Sequence, residues 1–283
     1  MEIIGKAKTI NALAKFREKF AETKLVTKEE LITALKLICE LDSVESTRPG
    51  NDGAVGNTIE DLLGVPENNL PIPNAAEWEL KGQRLGTTSL ISLFHLDPSP
   101  RSAKQITNLL LPKYGWRHKQ AGLKYPETEK SFRQTINGLN RTDRGFGLAV
   151  DYENRKVEIS FDAKNVHERH AVWKESVLES VGLDELNPQP YWGFDDLFHK
   201  AGTKLHNCFF LLAQAKKIDG KEFFKYQSVL MLQKFSLDKF IEGVEKGLIY
   251  VDFDARTGHN HGTKFRIRRD RLPEFYEVVT VII

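Results

Sequence analysis

A carboxylate and a lysine two residues apart, Glu79 and Lys81, are the side chains in this sequence best suited to phosphate chemistry. The alternating segment 77–81 predicts a strand, in which residues two apart share one face. A carboxylate binds hard divalent cations, and a neighbouring ammonium can orient a water molecule and balance charge that develops on a phosphate. The pair therefore indicates metal-assisted hydrolysis of a phosphodiester, although Glu-X-Lys is also common on solvated strand faces.

Two further polar residues stand upstream of this pair, at Glu60 and Asn74. The pattern around Glu60 predicts a helix over 56–64, and the loop after it, rich in proline and asparagine, would bring Asn74 near Glu79. A site of this kind normally contains a second acid, and an amide is a far poorer metal ligand than a carboxylate. The plainer alternative for Glu60 is an ordinary exposed helix acid.

A second set of polar residues lies near the C-terminal end, in the segment 252–268. Strands predicted at 248–254 and 264–268 flank a polar loop at 255–263. A two-stranded ribbon fits the DNA major groove, where arginine reads guanine and a carboxylate accepts a hydrogen bond from cytosine. Arg256 and Arg266 are therefore predicted to read guanines, and the candidate DNA contacts of the hairpin are Asp252, Asp254, Arg256, His259, Asn260, His261, Thr263, Lys264 and Arg266.

Other interpretations of these polar segments stay open. His259 and His261 on one strand face could bind zinc, although no cysteine or third histidine stands nearby in the sequence to complete a site. A polar turn with incidental histidines is the plainest alternative. Basic residues with aromatics between them, at 113–119 and 133–144, could contact phosphates or could equally form solvated loops. DNA reading is the favoured interpretation of the hairpin.

The length and composition of the chain indicate what kind of protein it is. Its 283 residues suffice for one large domain or two lobes, and 40% hydrophobic and 28% charged residues are ordinary for a soluble globular protein. The net charge is +2, so a nucleic-acid surface must come from local clustering. Cys39 and Cys208 lack metal-ligand spacing and fit buried thiols in a reducing compartment. With no apolar run of membrane-spanning length and no signal peptide, the sequence predicts a cytoplasmic protein.

Periodicity and turn residues predict the elements that must position these groups. Thr27 and Glu30 form a capping box ahead of an apolar stripe. Helices are predicted at 9–24, 27–42, 56–64, 101–111, 195–206 and 236–247, and strands at 77–81, 88–95, 148–152, 157–161, 209–213, 248–254 and 264–268. The mixture indicates an α/β or α+β fold, with a lobe boundary expected within 162–185.

Several motifs together resemble the MvaI/BcnI family of restriction endonucleases and the related MutH-type nicking enzymes of mismatch repair. These motifs are the run from Gly50 to Leu63, Asn68-Asn69-Leu70, Glu79-Leu80-Lys81, Ser92-Leu93-Phe94, Tyr191-Trp192-Gly193-Phe194-Asp195, Lys204-Leu205 and the run from His261 to Ile267. The likeness covers about residues 28–283 and leaves the N-terminal segment outside it.

The resemblance implies a two-lobed PD-(D/E)XK nuclease that clamps double-stranded DNA as a monomer. We place a helical extension at 1–26, a catalytic lobe facing the minor groove at 27–165 and a recognition lobe facing the major groove at 166–283. The implied site is short, GC-rich and of the CC-N-GG type, and the implied functional partner is a DNA methyltransferase acting on the same site. His95 and His261 are expected at the central base pair, for which a G·C pair is predicted, as in the BcnI branch (CCSGG).

The resemblance also assigns catalytic roles. Glu79 and Lys81 match the family's metal-binding carboxylate and lysine, Glu60 matches its helix glutamate, and Asn74 matches its metal-bridging aspartate. The implied cofactor is Mg²⁺, held at Asn74 and Glu79. Because Asn74 departs from the pattern, the chain is an engineered inactive variant, uses Glu77 as a substitute, or binds DNA without cutting it. A strand-nicking repair endonuclease and a catalytically silent DNA-binding protein are thus the alternatives to a type II restriction endonuclease.

Overall fold

The computed structural model describes residues 2–23, 27–46, 48, 50, 53–65, 75 and 77–283, leaving aside the side chains of 2–8 and 23. Its helices are α1 (Glu2–Thr23), α2 (Lys28–Glu40), α3 (Ala54–Leu63), α4 (Leu111–Tyr114), α5 (Ala171–Val181), α6 (Phe194–Leu205) and α7 (Leu237–Glu245). Its strands are β1 (Val44–Glu45), β2 (Glu79–Arg84), β3 (Ile91–His95), β4 (Trp116–Arg117), β5 (Lys130–Asn137), β6 (Arg144–Asp151), β7 (Lys156–Val166), β8 (Tyr191–Gly193), β9 (Asn207–Ile218), β10 (Lys221–Phe235), β11 (Ile249–Arg256), β12 (His259–Ile267) and β13 (Tyr276–Val281). The mixed α/β class is confirmed. Among the helices described, none has the length and apolar character needed to cross a membrane.

The chain divides into two compact units, each assembled from separated segments. Unit 1 comprises Met1–Ser89, Ala201–Ser236 and Leu272–Ile283, and unit 2 comprises Leu90–Lys200 and Leu237–Arg271. One boundary within 162–185, with lobes at 27–165 and 166–283, therefore does not describe the two units. The reason is long-range strand pairing: β10 pairs with β1, and β12 pairs with β3. Such long-range pairings cannot be recognised from the local composition of the sequence.

Unit 1 is built on a sheet with the strand order β1-β10-β9-β2, in which β13 also pairs with β10. Strands β2 and β9 are parallel, and β9 and β10 form an antiparallel pair. One face of the sheet contributes Leu80 and Phe209 to a core shared with α2 and α3. Because side chains alternate along a strand, Glu79 and Lys81 lie on the other face. The capping box of α2 is confirmed, with Thr27 and Glu30 each accepting a hydrogen bond from the other's backbone N–H.

Unit 2 contains an antiparallel sheet in the order β3-β12-β11-β5-β4 and a smaller sheet in the order β6-β7-β8. Aromatic side chains cover the inner face of the larger sheet. Phe265 of β12 lies 4.9 Å from Phe94 of β3 and 5.1 Å from Trp192 of β8, measured between ring centroids. Phe253 and Phe132 on the neighbouring strands are also buried. This core fixes which residues of β11 and β12 face outward.

Several predicted elements differ in detail from the structure, and three of the differences are as follows. The strand expected from 77 begins at Glu79, after a turn that the N–H of Trp78 closes by donating to the carbonyl of Ala75 at 2.8 Å. The loop expected at 255–263 is strand except for a tip at Thr257 and Gly258, where Gly258 has φ of +71°. The helix expected at 101–111 is a 3₁₀ turn followed by a π-helix, separated at Lys104, whose φ is +46°. At 255–263 the polar composition predicted a loop, but pairing between β11 and β12 extends the hairpin through most of this segment.

Candidate active site and nucleic-acid interface

Glu79 is the centre of the candidate active site in unit 1. It opens β2 opposite Cys208 of β9, and its side chain is 3% exposed. The Nζ of Lys81 lies 2.8 Å from Glu79 Oε1, and the Nζ of Lys204, on α6, lies 3.4 Å from the same oxygen. Burying a carboxylate is costly unless it is paired, and the two ammonium groups offset that cost. The predicted proximity of Glu79 and Lys81 is therefore observed, and Lys204 joins them.

The second carboxylate oxygen of Glu79 lacks a hydrogen bond. Oε2 is buried and has no partner among the residues that the structure describes. A charged oxygen left unpaired in the interior is strongly unfavourable, so a cation or water is the natural ligand of this atom. In the described part of the chain, no group of three or more His, Cys, Asp or Glu side chains could hold a metal ion. Mg²⁺ needs only one or two carboxylates when waters and substrate phosphates complete its shell, and the donors at Glu79 fit that ion.

Close packing between α3 and β2 brings a second acid towards this strand. A Cβ added at Gly82 would lie 2.8 Å from the backbone nitrogen of Gly56 and 2.8 Å from Val55 Cγ1, so the contact requires glycine. The same helix carries Glu60, which is 9% exposed. Glu60 is thus buried on the helix that meets β2. The alternative that it is an ordinary exposed helix acid is wrong.

The fourth predicted catalytic residue, Asn74, lies outside the described residues, and its role stays a prediction. The structure bears more directly on its suggested substitute, Glu77. The side chain of Glu77 is exposed in the turn that precedes β2. It therefore does not share a regular strand face with Glu79, and the idea that Glu77 supplies the missing carboxylate loses its structural basis.

Two residues near Glu79 were not predicted from the sequence as site residues. Lys204 stands in one of the family-like motifs, but helical periodicity gave no sign that it would meet Glu79. The hydroxyl of Tyr276 is buried without a hydrogen-bond partner among the described residues. Burial is the largest cause that raises the pKa of Tyr276 well above its ordinary value, and burial raises the pKa of the Cys208 thiol to about 12. Both groups therefore stay neutral beside the carboxylate.

In unit 2, the outer face of the larger sheet gathers most of the predicted DNA contacts. Strand pairing places Lys264 opposite His95 on one side and opposite Asp252 on the other. The side chain of His95 is exposed, and that of Lys264 is half-buried. Because Phe253 and Phe265 occupy the alternate, inward positions, the outer face is polar while the inner face is aromatic.

Arg266 is held within unit 2 by two contacts. Its Nη1 lies 3.2 Å from Asp252 Oδ2, and its Nη2 donates to the carbonyl of Leu90 at 2.7 Å. Its Nε is buried, with no partner in the described part of the chain. Asp252 in turn accepts a hydrogen bond from Thr135 Oγ1 at 2.9 Å. Arg266 therefore presents no free pair of donors to a base in this conformation.

Arg256 is held differently. Its Nη1 donates to Glu129 Oε1 at 3.1 Å and to the carbonyl of Thr257 at 3.3 Å. Its guanidinium carbon lies 4.6 Å from the centroid of the Tyr125 ring. Neither Nε nor Nη2 hydrogen-bonds to any residue that the structure describes. These two donors share one edge of the guanidinium group and are available to a ligand.

The remaining hairpin residues fall into exposed and enclosed groups. His259 and His261 are exposed, with ring centroids 4.2 Å apart, and Asn260 Oδ1 accepts a hydrogen bond from the backbone of Gly262. Thr263 is 1% exposed, and its hydroxyl donates to the Oδ1 atom of Asp97 at 2.9 Å. Thr263 was predicted to contact DNA. Its side chain is instead buried, because the register of β12 directs it inward.

A cavity of about 410 Å³ opens beside these residues in unit 2. Its walls come from the outer sheet face and from the loop between β4 and β5, and they include His118, Lys119, Tyr125, Asp254, Arg256 and His261. Asp254 is anchored by Arg133, with Nε 3.5 Å from Oδ1. The basic segment at 113–119 thus contributes His118 and Lys119 to the candidate interface, whereas Tyr114 is buried in the core.

Comparisons with known proteins find a matching family model and similar solved structures. A family model for the MvaI/BcnI restriction endonuclease family matches residues 32–276. The structure described as "Restriction endonuclease MvaI-cognate DNA substrate complex" is 26% identical to this chain, with a TM-score of 0.72, over 92% of this chain and 100% of that one. MvaI in the absence of DNA is 25% identical, with a TM-score of 0.50, over 92% and 99% of the two chains. A comparison with curated proteins finds no match. The matched segment contains every predicted site residue.

Proposed function

The chain belongs to the MvaI/BcnI restriction endonuclease family, and from this membership we propose that it is a type II site-specific deoxyribonuclease. Its substrate is double-stranded DNA, its cofactor is Mg²⁺, and its site is a short GC-rich sequence of the CC-N-GG type. One observation carries the proposal. The buried carboxylate of Glu79 meets two lysines at one oxygen, and its other oxygen is unpaired among the described residues.

Each residue of the candidate active site has a separate role in the proposed reaction. Glu79 and the side chain at position 74 would hold Mg²⁺, which would supply Lewis acidity towards the phosphate and lower the pKa of a water molecule. Lys81 donates a hydrogen bond that orients the attacking water. Lys204 neutralises part of the charge on Glu79 and keeps that carboxylate in place. In-line attack on phosphorus breaks the bond to O3′, which leaves a 5′-phosphate and a 3′-hydroxyl.

Asn74 limits this activity in our proposal. An amide carries no net charge and offers one oxygen, whereas Mg²⁺ prefers charged oxygen ligands in octahedral geometry. The chain as written should therefore bind DNA and cut it slowly or not at all. Loss of one negative charge that faces the phosphates should also favour DNA binding.

Sequence recognition is proposed for the outer sheet face of unit 2. Arg256 reads a guanine, Asp254 accepts a hydrogen bond from a cytosine, and His95 and His261 contact the central base pair, for which we propose G·C. We propose that the protein acts as a monomer in the cytoplasm and cuts the two strands in separate events. Its functional partner would be a DNA methyltransferase that protects the same site.

Cleavage of a supercoiled plasmid in Mg²⁺ tests this function. Linear product from the Asn74→Asp variant supports a restriction endonuclease. A product that stays a nicked circle would instead identify a strand-nicking enzyme. Plasmid that is retarded on a gel but intact with both forms would identify a DNA-binding protein without nuclease activity.

A further inference from the structure

The arginine with a free donor edge in unit 2 has an acidic partner that the sequence did not single out. We propose that Glu129 is a positioning residue for base recognition, which fixes the guanidinium of Arg256 so that it reads a single guanine. This inference rests on the proposed function of the same sheet face. It adds a specificity-determining residue from outside the recognition hairpin.

Glu129 is unusual because it is an almost completely buried acid. It is 5% exposed, and its one ion-pair partner in the described part of the chain is Arg256. A buried carboxylate is strongly unfavourable without a partner, so Glu129 favours conformations in which Arg256 stays paired with it. Its own backbone is fixed, since its carbonyl accepts from the N–H of His118 at 2.8 Å and its N–H donates to the carbonyl of Pro126 at 3.0 Å.

A second contact fixes the plane of the guanidinium group. Tyr125 lies beneath it, with 4.6 Å between the ring centroid and the guanidinium carbon. The ion pair with Glu129 restrains one edge of the group, and the ring restrains its plane. What remains is the edge that carries Nε and Nη2, on a side chain that lines the 410 Å³ cavity.

The chemistry of that free edge selects the ligand. Two parallel N–H donors match the O6 and N7 acceptors of guanine in the major groove, and no other base presents two adjacent acceptors there. A donor pair that is already oriented loses less conformational entropy when it binds than a free arginine side chain does. Glu129 should therefore affect discrimination at one G·C pair, and it should have little effect on binding to random DNA.

The test measures base discrimination in Ca²⁺, without cleavage. The unmodified chain first selects its preferred duplex from a randomised library, and fluorescence anisotropy then gives affinities for that duplex and for each single base-pair change. Arg256→Ala should lose about 5- to 150-fold of discrimination at one G·C pair, the range expected for one bidentate contact. Glu129→Leu should lose most of that discrimination at the same pair. Glu129→Gln, which keeps an acceptor oxygen, should lose less.

A double-mutant comparison separates positioning from a structural role. In the Arg256→Ala background, Glu129→Leu should change discrimination at no base pair. Glu222→Leu is the matched control, because Glu222 is likewise a buried acid, 9% exposed and paired with an arginine, Arg84, but it lies in unit 1. It should lower the melting temperature and leave discrimination unchanged. If Glu129→Leu does not fold, a loss at the same base pair in Glu129→Gln decides the matter.

Three outcomes overturn the inference. They are a loss spread equally over specific and random duplexes, a loss that persists in the Arg256→Ala background, and unchanged discrimination in folded Glu129→Gln. Because every arm measures binding, absence of Mg²⁺-dependent cleavage by the Asn74→Asp form would contradict the proposed nuclease and leave this inference standing. A chain that selects no sequence from the library would overturn both.

Discussion

The two candidate sites differ in how completely their charged groups are paired. In unit 1, Glu79 is buried with one oxygen shared by two lysines and the other unpaired among the described residues. On the outer face of unit 2, acids and arginines pair with one another, as Asp252 does with Arg266. An unpaired buried oxygen lowers the stability of the fold, so it indicates a site at which a ligand supplies the missing partner.

The pairs in unit 2 serve a different purpose. A side chain that already has a partner within the protein gives up that contact when it binds DNA. Binding is favourable only if the base edge supplies equivalent hydrogen bonds, so an incorrect base is bound weakly. Arg256 and Arg266 show two degrees of this restraint. The first keeps two donors available beside Glu129, and the second has its terminal nitrogens committed to Asp252 and to the carbonyl of Leu90. The following predictions test whether unit 1 governs cleavage and unit 2 governs discrimination.

The largest effect is expected at position 74. Asn74→Asp should raise Mg²⁺-dependent plasmid cleavage by about 10²–10³-fold, the change typical of gaining or losing one preorganised electrostatic group. Adding Lys81→Ala to that variant should abolish the cleavage again. Initial rates of supercoil loss measure both effects. Glu77→Ala is the control, because its exposed side chain in the turn before β2 should make it neutral. Fast cutting by the unmodified chain that disappears in Glu77→Ala would contradict this account.

The second prediction contrasts the two arginines. Arg256→Ala should lose about 1–3 kcal/mol of discrimination against one wrong base pair, because its free donor edge is the reader. Arg266→Ala should instead lower the free energy of unfolding, since it leaves Asp252 without its charged partner. Competition binding with specific and random duplexes, together with urea unfolding, separates the two outcomes. Relaxed base choice in Arg266→Ala at unchanged stability would show that Arg266 leaves its internal partners on binding DNA.

Local patterns allowed some of this to be predicted from the sequence. The period of a strand placed Glu79 and Lys81 on one face, and a four-residue pattern identified the cap at Thr27. Lys204 and Glu129 could not be found in this way, because each acquires its role through a contact between distant segments. An acid such as Glu129 looks like any surface acid until the fold buries it.

Two of the strands that were missed share the same cause. Charged and aromatic residues stand in adjacent pairs at the start of strand β10, without a period of two, and neither β10 nor β13 was predicted from the sequence. Both form through pairing within unit 1. The inward direction of Thr263 depends on the hairpin register, which shifts between Phe253 and Ala255, and residue composition does not specify that shift.

A third prediction concerns the contact that holds α3 against β2. Gly82→Ala would place a Cβ 2.8 Å from the backbone of Gly56, so the helix must move. We expect a loss of about 1–3 kcal/mol in the free energy of unfolding, the usual cost of overpacking. Cleavage by the Asn74→Asp form should fall as well, because α3 carries Glu60. Gly193→Ala is the control, since nothing lies within 4 Å of its Cβ position. Equal stability of the two variants would contradict the prediction.

The smallest effect is expected at Asp143, in a charged cluster of unit 2. Partial burial would raise the pKa of Asp143, but hydrogen bonds from His170 and Arg169 outweigh burial and lower the pKa to about 2. The His170 Nε2 atom lies 2.9 Å from the carboxylate, and Arg144 Nη1 lies 3.8 Å from it. Because the folded-state pKa lies below the ordinary value of 3.8, the ionised form stabilises the fold above that pH.

Asp143→Asn should therefore lower the free energy of unfolding at neutral pH, by about 1 kcal/mol or less, because solvent screens these partly exposed pairs. The difference between the variant and the unmodified chain should shrink as the pH falls from 3.8 towards 2, where the carboxylate of the folded protein becomes protonated. Urea unfolding at several pH values measures it, and base discrimination should not change. A difference that stays constant with pH would mean that the side-chain hydrogen bonds, and not the charge, stabilise this cluster.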